Sequence, residues 1–294
     1  MGGICSCRKN EEQLLRAESY LGNPNLEIQA EDLKMATNNF SAENRIGAGA
    51  FGEVYQADLH SFGVVAVKRI KQKFLHTGLV VDGHFCMVME FMINGSLRSR
   101  LQAKDENLNY LVRLRICRGI ANGINYLHSA FRTYLVHRDI KSDNVLLSED
   151  YTPKICDFGL VKIFSSKRNN NVNSAAMTEN ICGTQAYLPP EAFDGIISRR
   201  LDVYSYGTVL LEIISGKSPL FSNKEGIPYL ADYFLYCYIH QISAFPIDKK
   251  ANWPKDYTKE LMKLANWCLR HKYEDRPYMK EVIEKLSEIA SKTK

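Results

Sequence analysis

The residues best suited to chemistry lie in one short run. His137-Arg138-Asp139-Ile140-Lys141-Ser142-Asp143-Asn144 sets an acid, a lysine and an amide at fixed offsets, and Asp157-Phe158-Gly159 follows. An aspartate and an asparagine offer the hard oxygen ligands that Mg²⁺ takes. A second aspartate can orient a hydroxyl and accept its proton. Each piece alone has a plainer reading: Asp157 as a turn residue, Asn144 as a cap, His137 as a core histidine. The assembly of all of them in this order is what carries information. Upstream, Gly47, Gly49 and Gly52 fall at the spacing G-x-G-x-x-G. By itself that spacing fits any tight hairpin equally well. It stands between strand-like runs and not before a helix, which argues against a dinucleotide-binding fold. A glycine hairpin can lie over a polyphosphate, because no side chain blocks the approach of its backbone.

The elements that must position these residues fall into two styles. Arg45 to Val67 is glycine-punctuated and β-branched, as antiparallel strands joined by tight turns require. The fragment LVVDGHFCMV repeats the style, with Asp82-Gly83 as a hairpin turn. Before these strands, residues 8–40 are polar, with one weakly amphipathic stretch from Glu27 to Phe40 carrying Ile28, Leu33 and Ala36. After Asn94-Gly95-Ser96-Leu97 the pattern turns helical. Val112, Ile116, Ile120, Ile124 and Leu127 keep an i, i+4 stripe supported by Cys117 and Ala121. Val203 to Ile214 is apolar nearly all round, which predicts a helix buried within a lobe. Leu261–Leu269 and Tyr278–Ile289 read as further amphipathic helices. The expected fold class is therefore α+β, a small antiparallel-sheet lobe followed by a larger helical lobe, with a hinge near Glu90 to Gly95.

Composition bounds the function. The 294 residues, 45% hydrophobic and 24% charged, suit a globular protein of one large domain or two lobes. The net charge of +5 is spread without a basic block, and no basic-aromatic stripe suggests nucleic acid. The eight cysteines are scattered and read as free thiols in a reducing compartment. No apolar run is long enough to span a bilayer. The opening residues MGGICSC are more specific: Gly2, with Ser6 four positions on, fits N-myristoylation, and Cys5 and Cys7 offer sites for palmitate. One myristoyl chain binds membranes only marginally, so the cysteines would matter as a second signal.

With VAVK ending at Lys68, HRDIKSDN, DFG and Leu188-Pro189-Pro190-Glu191-Ala192 on the page, the sequence resembles a eukaryotic protein kinase over about Arg45 to Ile289. Proline stands first in Pro189-Pro190-Glu191, where alanine is usual. The finer text NNFSAENRIGAGAFGEVY, NGSL, ANGINYLH and YGTVLLEIISGKSP is similar to the Pelle, interleukin-1-receptor-associated and plant receptor-like kinase group.

This resemblance implies a domain of residues 41–294, with an N-lobe over 41–91 and a C-lobe over 92–294, preceded by a segment of residues 1–40. It implies ATP and Mg²⁺ as cofactors and Ser/Thr of a protein as the acceptor, since Lys141 and Gly183-Thr184 fit serine/threonine kinases. Asp139 would orient the substrate hydroxyl, Lys141 would steady the phosphoryl group, and Asn144 with Asp157 would hold the metal. Val54, Ala66 and Leu146 would sandwich the adenine; Met89 resembles the gatekeeper, and Glu90 to Met92 would offer backbone hydrogen bonds. Asp202 resembles the brace of the catalytic loop, Thr184 a brace of Asp139 and Lys141, and Glu191 with Arg276 the structural ion pair of the larger lobe. Thr178, and more weakly Ser174, sit where relatives carry a regulatory phosphate, with Arg138 as its partner. A receptor or adaptor complex, and the cytoplasm or the cytoplasmic face of the plasma membrane, are the setting this group implies.

One departure stands out. In this family the strand lysine pairs with a glutamate on a helix between the third and fourth strands. Only RIKQKFLHTG separates Lys68 from the strand starting near Leu79, and the only acid between Lys68 and Glu90 is Asp82. The helix and its glutamate are therefore expected to be absent. Three origins compete: an internal segment lost by splicing or in the gene model, a pseudokinase acting as an adaptor, or a substitute acid such as Glu27 or Glu31 from the N-terminal segment. The intact Asp139, Asn144 and Asp157 rank internal loss first.

Overall fold

Alternating apolar residues around glycine turns give the first part of the chain its sheet. The computed structural model describes residues 28–49, 52–70, 79–82, 84–103, 106–129, 133–165, 175–178 and 181–291. Gly2, Cys5, Cys7, Glu27, Gly83, Ser174 and residues 71–78, where the helix was expected to be missing, lie outside them. The chain divides into two units at Met92/Ile93, and each is described in turn.

The first unit opens with helix α1 (Ala30–Ala36), followed by strands β1 (Arg45–Gly49), β2 (Gly52–Leu59), β3 (Gly63–Ile70), β4 (Leu79–Val81) and β5 (His84–Glu90). They form one antiparallel sheet in the order β1-β2-β3-β5-β4. Val81 pairs with His84 and Asp82 takes φ 48°, as a tight hairpin demands. The expected amphipathic stretch condenses to the seven residues of α1, whose Asp32 carboxylate accepts from the Gln29 backbone N–H. Leu33 of α1 is fully buried with Ala57, Leu59, Val65, Val67 and Cys86. Successive strand residues face opposite sides. Val65 and Val67 therefore turn toward α1, while Ala66 and Lys68 turn the other way. Gly52 shows why glycine is required at the last position of the motif. Its φ is 152°, and a Cβ there would sit 2.2 Å from the Arg69 carbonyl oxygen.

The second unit contains α2 (Leu97–Ala103), α3 (Tyr110–Ser129), β6 (Thr133–Val136), β7 (Val145–Leu147), β8 (Pro153–Ile155), β9 (Lys162–Ser165), β10 (Ala176–Met177), α4 (Pro190–Phe193), β11 (Ile196–Ile197), α5 (Arg199–Ser215), α6 (Leu230–Ile239), α7 (Lys255–Cys268) and α8 (Met279–Ser291). Strands pair as β6-β9, β7-β8 and β10-β11. Helix α5 is the axis: every residue from Leu201 to Ser215 is buried, and α3, α6 and α7 pack against it. Ser198 caps its start by accepting from Arg200 N–H, and Gly216 ends it in the left-handed conformation at φ 66°. The helices expected at Leu261–Leu269 and Tyr278–Ile289 are α7 and α8. Helix α6, an aromatic run that the periodicity did not single out, fills the space beside α5 with Tyr233 and Phe234. All six described cysteines are free. Among the described residues no helix is long and apolar enough to cross a membrane.

Candidate active site

The loop after β6 holds the expected catalytic run, and the buried helix α5 explains why it can. Asp202, fully buried in the first turn of α5, accepts from the backbone N–H groups of His137 and Arg138 at 2.9 Å each. Its Oδ2 also lies 2.9 Å from His128 Nε2. Two backbone donors on one carboxylate fix the loop, including Arg138 in the left-handed region at φ 70°. His137 is fully buried, and burial pushes its imidazole below the ordinary range. A neutral ring fits its contacts: Nε2 lies 3.1 Å from the Cys156 carbonyl, and the Asp139 N–H donates to Nδ1 at 3.3 Å.

Asp139 stands at the centre. Lys141 Nζ donates to its Oδ2 at 2.8 Å, the Thr184 hydroxyl donates to its Oδ1 at 2.8 Å, and Lys141 also reaches the Thr184 oxygen at 2.9 Å. The Asn144 amide donates to the Asp139 carbonyl at 2.9 Å and to Oδ2 at 3.0 Å. Burial pushes the Asp139 carboxyl up, but the bonds from Lys141 and Thr184, the Lys141 charge and Asn144 outweigh it and hold it below the ordinary range. An ionised, aimed carboxylate of this kind orients a hydroxyl before it accepts its proton. Thr184 reaches Asp139 because Gly183, at φ 117°, lets two backbones meet; a Cβ there would fall 2.6 Å from the Arg138 carbonyl oxygen.

Asp157 caps the short 3-10 turn Phe158–Leu160 with φ 64°, and the Cys156 N–H donates to the Asn144 carbonyl at 2.9 Å, which ties the two candidate metal ligands together. The amide of Asn144 spends its N–H on Asp139 and keeps an oxygen as acceptor. Among the described residues no cluster of three or more His, Cys, Asp or Glu forms a self-contained metal cage. Two oxygen ligands fit a cation that completes its shell with phosphate and water, as Mg²⁺ does. Phe158 is half-exposed and meets the His137 ring edge-on at 5.1 Å.

The supporting pair is also formed. Arg276, buried, reaches both Glu191 oxygens at 2.5 and 2.7 Å. Thr178 follows β10, and its N–H donates to the Gly195 carbonyl at 2.8 Å. Leu146, on β7, is half-buried.

In the first unit, Lys68 on β3 stands opposite Val54 and Met87, and Ala66 opposite Met89. Val54, Ala66, Lys68, Met87 and Met89 thus share one face of the sheet. Met87 is 45% exposed on that face. Gly47 and Gly49 lie on β1, and Glu90 ends β5 just before Met92. Of the two substitute acids, Glu27 lies outside the described residues and this geometry narrows the case for Glu31. Glu31 belongs to α1, which packs on the face opposite Lys68. Asp82 is engaged by Lys34, with Nζ 2.5 Å from its carboxylate.

Sequence reasoning missed a second buried carboxylate, Glu212 of α5. Its oxygens accept from Arg98 at 2.8 Å, Ser142 at 2.8 Å and Tyr187 at 2.7 Å. The signal was present: Asp202, Ser205 and Glu212 recur at helical spacing inside a helix that is mostly apolar and buried.

Comparison with known proteins agrees with this arrangement. A protein kinase domain model matches residues 75–286. Receptor-like serine/threonine-protein kinase SD1-7 of Arabidopsis thaliana is 34% identical over 304 residues, covering 91% of this chain and 35% of that protein. Cysteine-rich receptor-like protein kinase 10 of Oryza sativa subsp. japonica is 34% identical over 294, covering 89% and 44%. Serine/threonine-protein kinase BRI1-like 1 of Arabidopsis thaliana is 32% identical over 292, covering 88% and 25%. The chain thus spans less than half the length of these relatives. The 304 matched positions exceed the 294 residues of the chain although only 91% of it takes part, so the relative carries residues inside the match that have no counterpart here. With the braced Asp139 loop, the sheet lysine and the Glu191–Arg276 pair all in place, the chain belongs to the protein kinase domain family, in its plant receptor-like serine/threonine branch.

Proposed function

We propose that this chain transfers the γ-phosphoryl group of ATP to a serine or threonine hydroxyl of a protein substrate, at a rate reduced by loss of an internal segment. The observation that carries the reading is Asp139, held ionised and aimed by Lys141, Thr184 and Asn144. The substrate hydroxyl donates to Asp139. Its oxygen attacks the γ-phosphorus, the bond to the bridging oxygen breaks with ADP leaving, and the proton passes to the Asp139 carboxylate. Lys141 steadies the moving phosphoryl group. Mg²⁺, held by Asn144 and Asp157, would neutralise the phosphate oxygens. The nucleotide is assigned to Gly47, Gly49, Gly52, Val54, Ala66, Lys68, Met89, Glu90, Met92 and Leu146 by their match to the family's motifs, and a regulatory phosphate to Thr178 or Ser174, read by Arg138. Residues 41–294 form the kinase domain. Acylation at Gly2, Cys5 and Cys7 would bring it to the cytoplasmic face of a membrane, near a receptor or adaptor complex.

Two features support internal loss. Relatives carry extra residues within the matched stretch, and the family model's match starts at residue 75, past Lys68. Losing one preorganised charge-orienting element costs on the order of 10²–10³ in rate. A Mg-ATP phosphotransfer assay on purified protein should therefore give slow turnover that Asp139→Asn lowers by a further ~10²–10⁴. Turnover at an ordinary kinase rate, roughly 1–100 s⁻¹, would sink the impairment. The same short connection after Lys68 favours a second reading, a nucleotide-binding adaptor. Cellular function unchanged in Asp139→Asn would favour it over catalysis.

A further inference from the structure

Beneath the catalytic loop lies a polar cluster that the proposed reaction does not use directly. Arg98 of α2 is buried, and its Nη2 donates to Glu212 Oε2 at 2.8 Å and to the Tyr187 hydroxyl oxygen at 2.7 Å. The Tyr187 hydroxyl donates to Glu212 Oε1 at 2.7 Å, and the Ser142 hydroxyl donates to Oε2 at 2.8 Å. Arg98 Nε also lies 3.6 Å from the half-exposed carboxylate of Asp143. Three stretches of chain therefore converge on one carboxylate of α5: α2, the turn Ser142–Asn144 and the turn Gln185–Tyr187.

Two of those stretches carry the groups that hold Asp139. Ser142 follows Lys141 directly. Tyr187 closes the turn that starts at Thr184, with the Tyr187 N–H donating to the Thr184 carbonyl at 2.9 Å. Lys141 and Thr184 are the side chains that aim Asp139, and they come from segments more than forty residues apart in sequence. The two turns also touch directly, with the Ser142 and Tyr187 hydroxyls 3.3 Å apart. A shared buried acceptor, Glu212, binds both turns and holds them together provided that it stays in place. Burial pushes Glu212 up to about 7, against the pull of Arg98, Tyr187 and Ser142. Without the guanidinium, Oε2 would lose its charged donor, and the carboxylate would be held only by the Ser142 and Tyr187 hydroxyls.

We propose that Arg98 is a positioning residue for the phosphotransfer site. It keeps Glu212 as an acceptor for both Ser142 and Tyr187, and thereby sets the spacing of Lys141 and Thr184 around Asp139. Arg98 touches no reacting atom. The proposal deepens the kinase reading, so its test must not depend on turnover alone.

The experiment is amide hydrogen exchange on the full chain, comparing wild type with Arg98→Met, Arg98→Lys and Ser142→Ala. In Arg98→Met, residues 137–147 and 184–189 should exchange about tenfold faster, as expected for loss of a charge-assisted bond. Helices α7 and α8 should keep their protection. Arg98→Lys, which restores the charge without the guanidinium fork, should recover part of it. Ser142→Ala should loosen residues 137–147 alone. Unchanged exchange in Arg98→Met, or equal acceleration across the whole unit, overturns the proposal. If Arg98→Met does not fold, Ser142→Ala decides: loosening of residues 137–147 supports the shared acceptor, and no loosening overturns it. A wild type without phosphotransfer would strike the kinase reading and leave these exchange results to stand by themselves. Where turnover is measurable, Arg98→Met should lower kcat about tenfold and leave KM for ATP unchanged, one lost charge-assisted bond being of that size.

Discussion

Asp139 and Lys68 are positioned by different elements of the structure. Around Asp139 the second unit uses side chains: Lys141, Thr184 and Asn144 bind the carboxylate, Asp202 binds the loop's own backbone, and Arg276 with Glu191 supports the segment beyond. Around Lys68 the first unit uses strand register, with Val54 and Met87 as cross-strand neighbours and α1 covering the opposite face. A site held by redundant polar contacts tolerates the loss of distant segments. A site held by register keeps its place in the sheet, but its surroundings depend on what covers that face. The contrast explains how a chain with only ten residues between Lys68 and Leu79 can keep an ordered catalytic loop.

The contrast can be broken most forcefully at the second unit's ion pair. Arg276→Met leaves Glu191 buried without its guanidinium and should cost about 3–5 kcal/mol. Urea unfolding of the full chain should show this as a lowered midpoint for the transition that includes α5. A cost below about 1 kcal/mol, the size of an exposed pair, would mean that the second unit is not held by buried charge.

In the first unit the matching test is Leu33→Ala. Leu33 is fully buried in the cluster with Ala57, Leu59, Val65, Val67, Val81 and Cys86, so truncation should cost about 2–5 kcal/mol. A negligible cost would remove α1 from the sheet and reopen the question of which face Glu31 serves.

A third measurement concerns the polar interior of the second unit. Glu212 has an ordinary value of 4.5 and is pushed up to about 7 by burial. The folded state therefore binds a proton that the unfolded state releases between those values. Its contribution to stability is complete below about 4.5 and is lost as pH rises through about 7. Against Glu212→Gln, which does not titrate, the wild type should lose stability as pH rises from 4.5 to 8. A constant difference between the two proteins over that range would show that the carboxylate ionises as freely as in water.

How much of this was legible in the sequence follows the same division. The catalytic run, the glycine turn and the buried helix could be read because each has a local signature: fixed offsets, punctuation by glycine, or apolar residues all round. The role of Gly183 could not, since the close approach to Arg138 belongs to two segments far apart in sequence. The Arg98–Glu212–Tyr187–Ser142 cluster escaped for the same reason, although the spacing of Asp202, Ser205 and Glu212 on α5 marked a polar stripe. The N-terminal stretch reads as weakly amphipathic, and in the structure α1 is two turns long with Leu33 its one buried residue. Which face of the sheet it covers depends on tertiary packing, and no periodicity records that.

The finest test of the comparison is Met87. It is the cross-strand neighbour of Lys68 and 45% exposed, while Cys86 and Val67, on the α1 side, are buried. Surface substitutions fall within about 0.5 kcal/mol, and buried apolar truncations cost several times that. Met87→Ala should therefore leave the urea midpoint almost unchanged, in contrast to Leu33→Ala. Met87→Lys sharpens the point, because a second cation beside Lys68 adds repulsion that salt should screen. If Met87→Ala instead costs more than about 1 kcal/mol, the Lys68 face is packed in solution as firmly as the face under α1. The difference between the two regions would then lie only in the kind of contact and not in how completely each is covered.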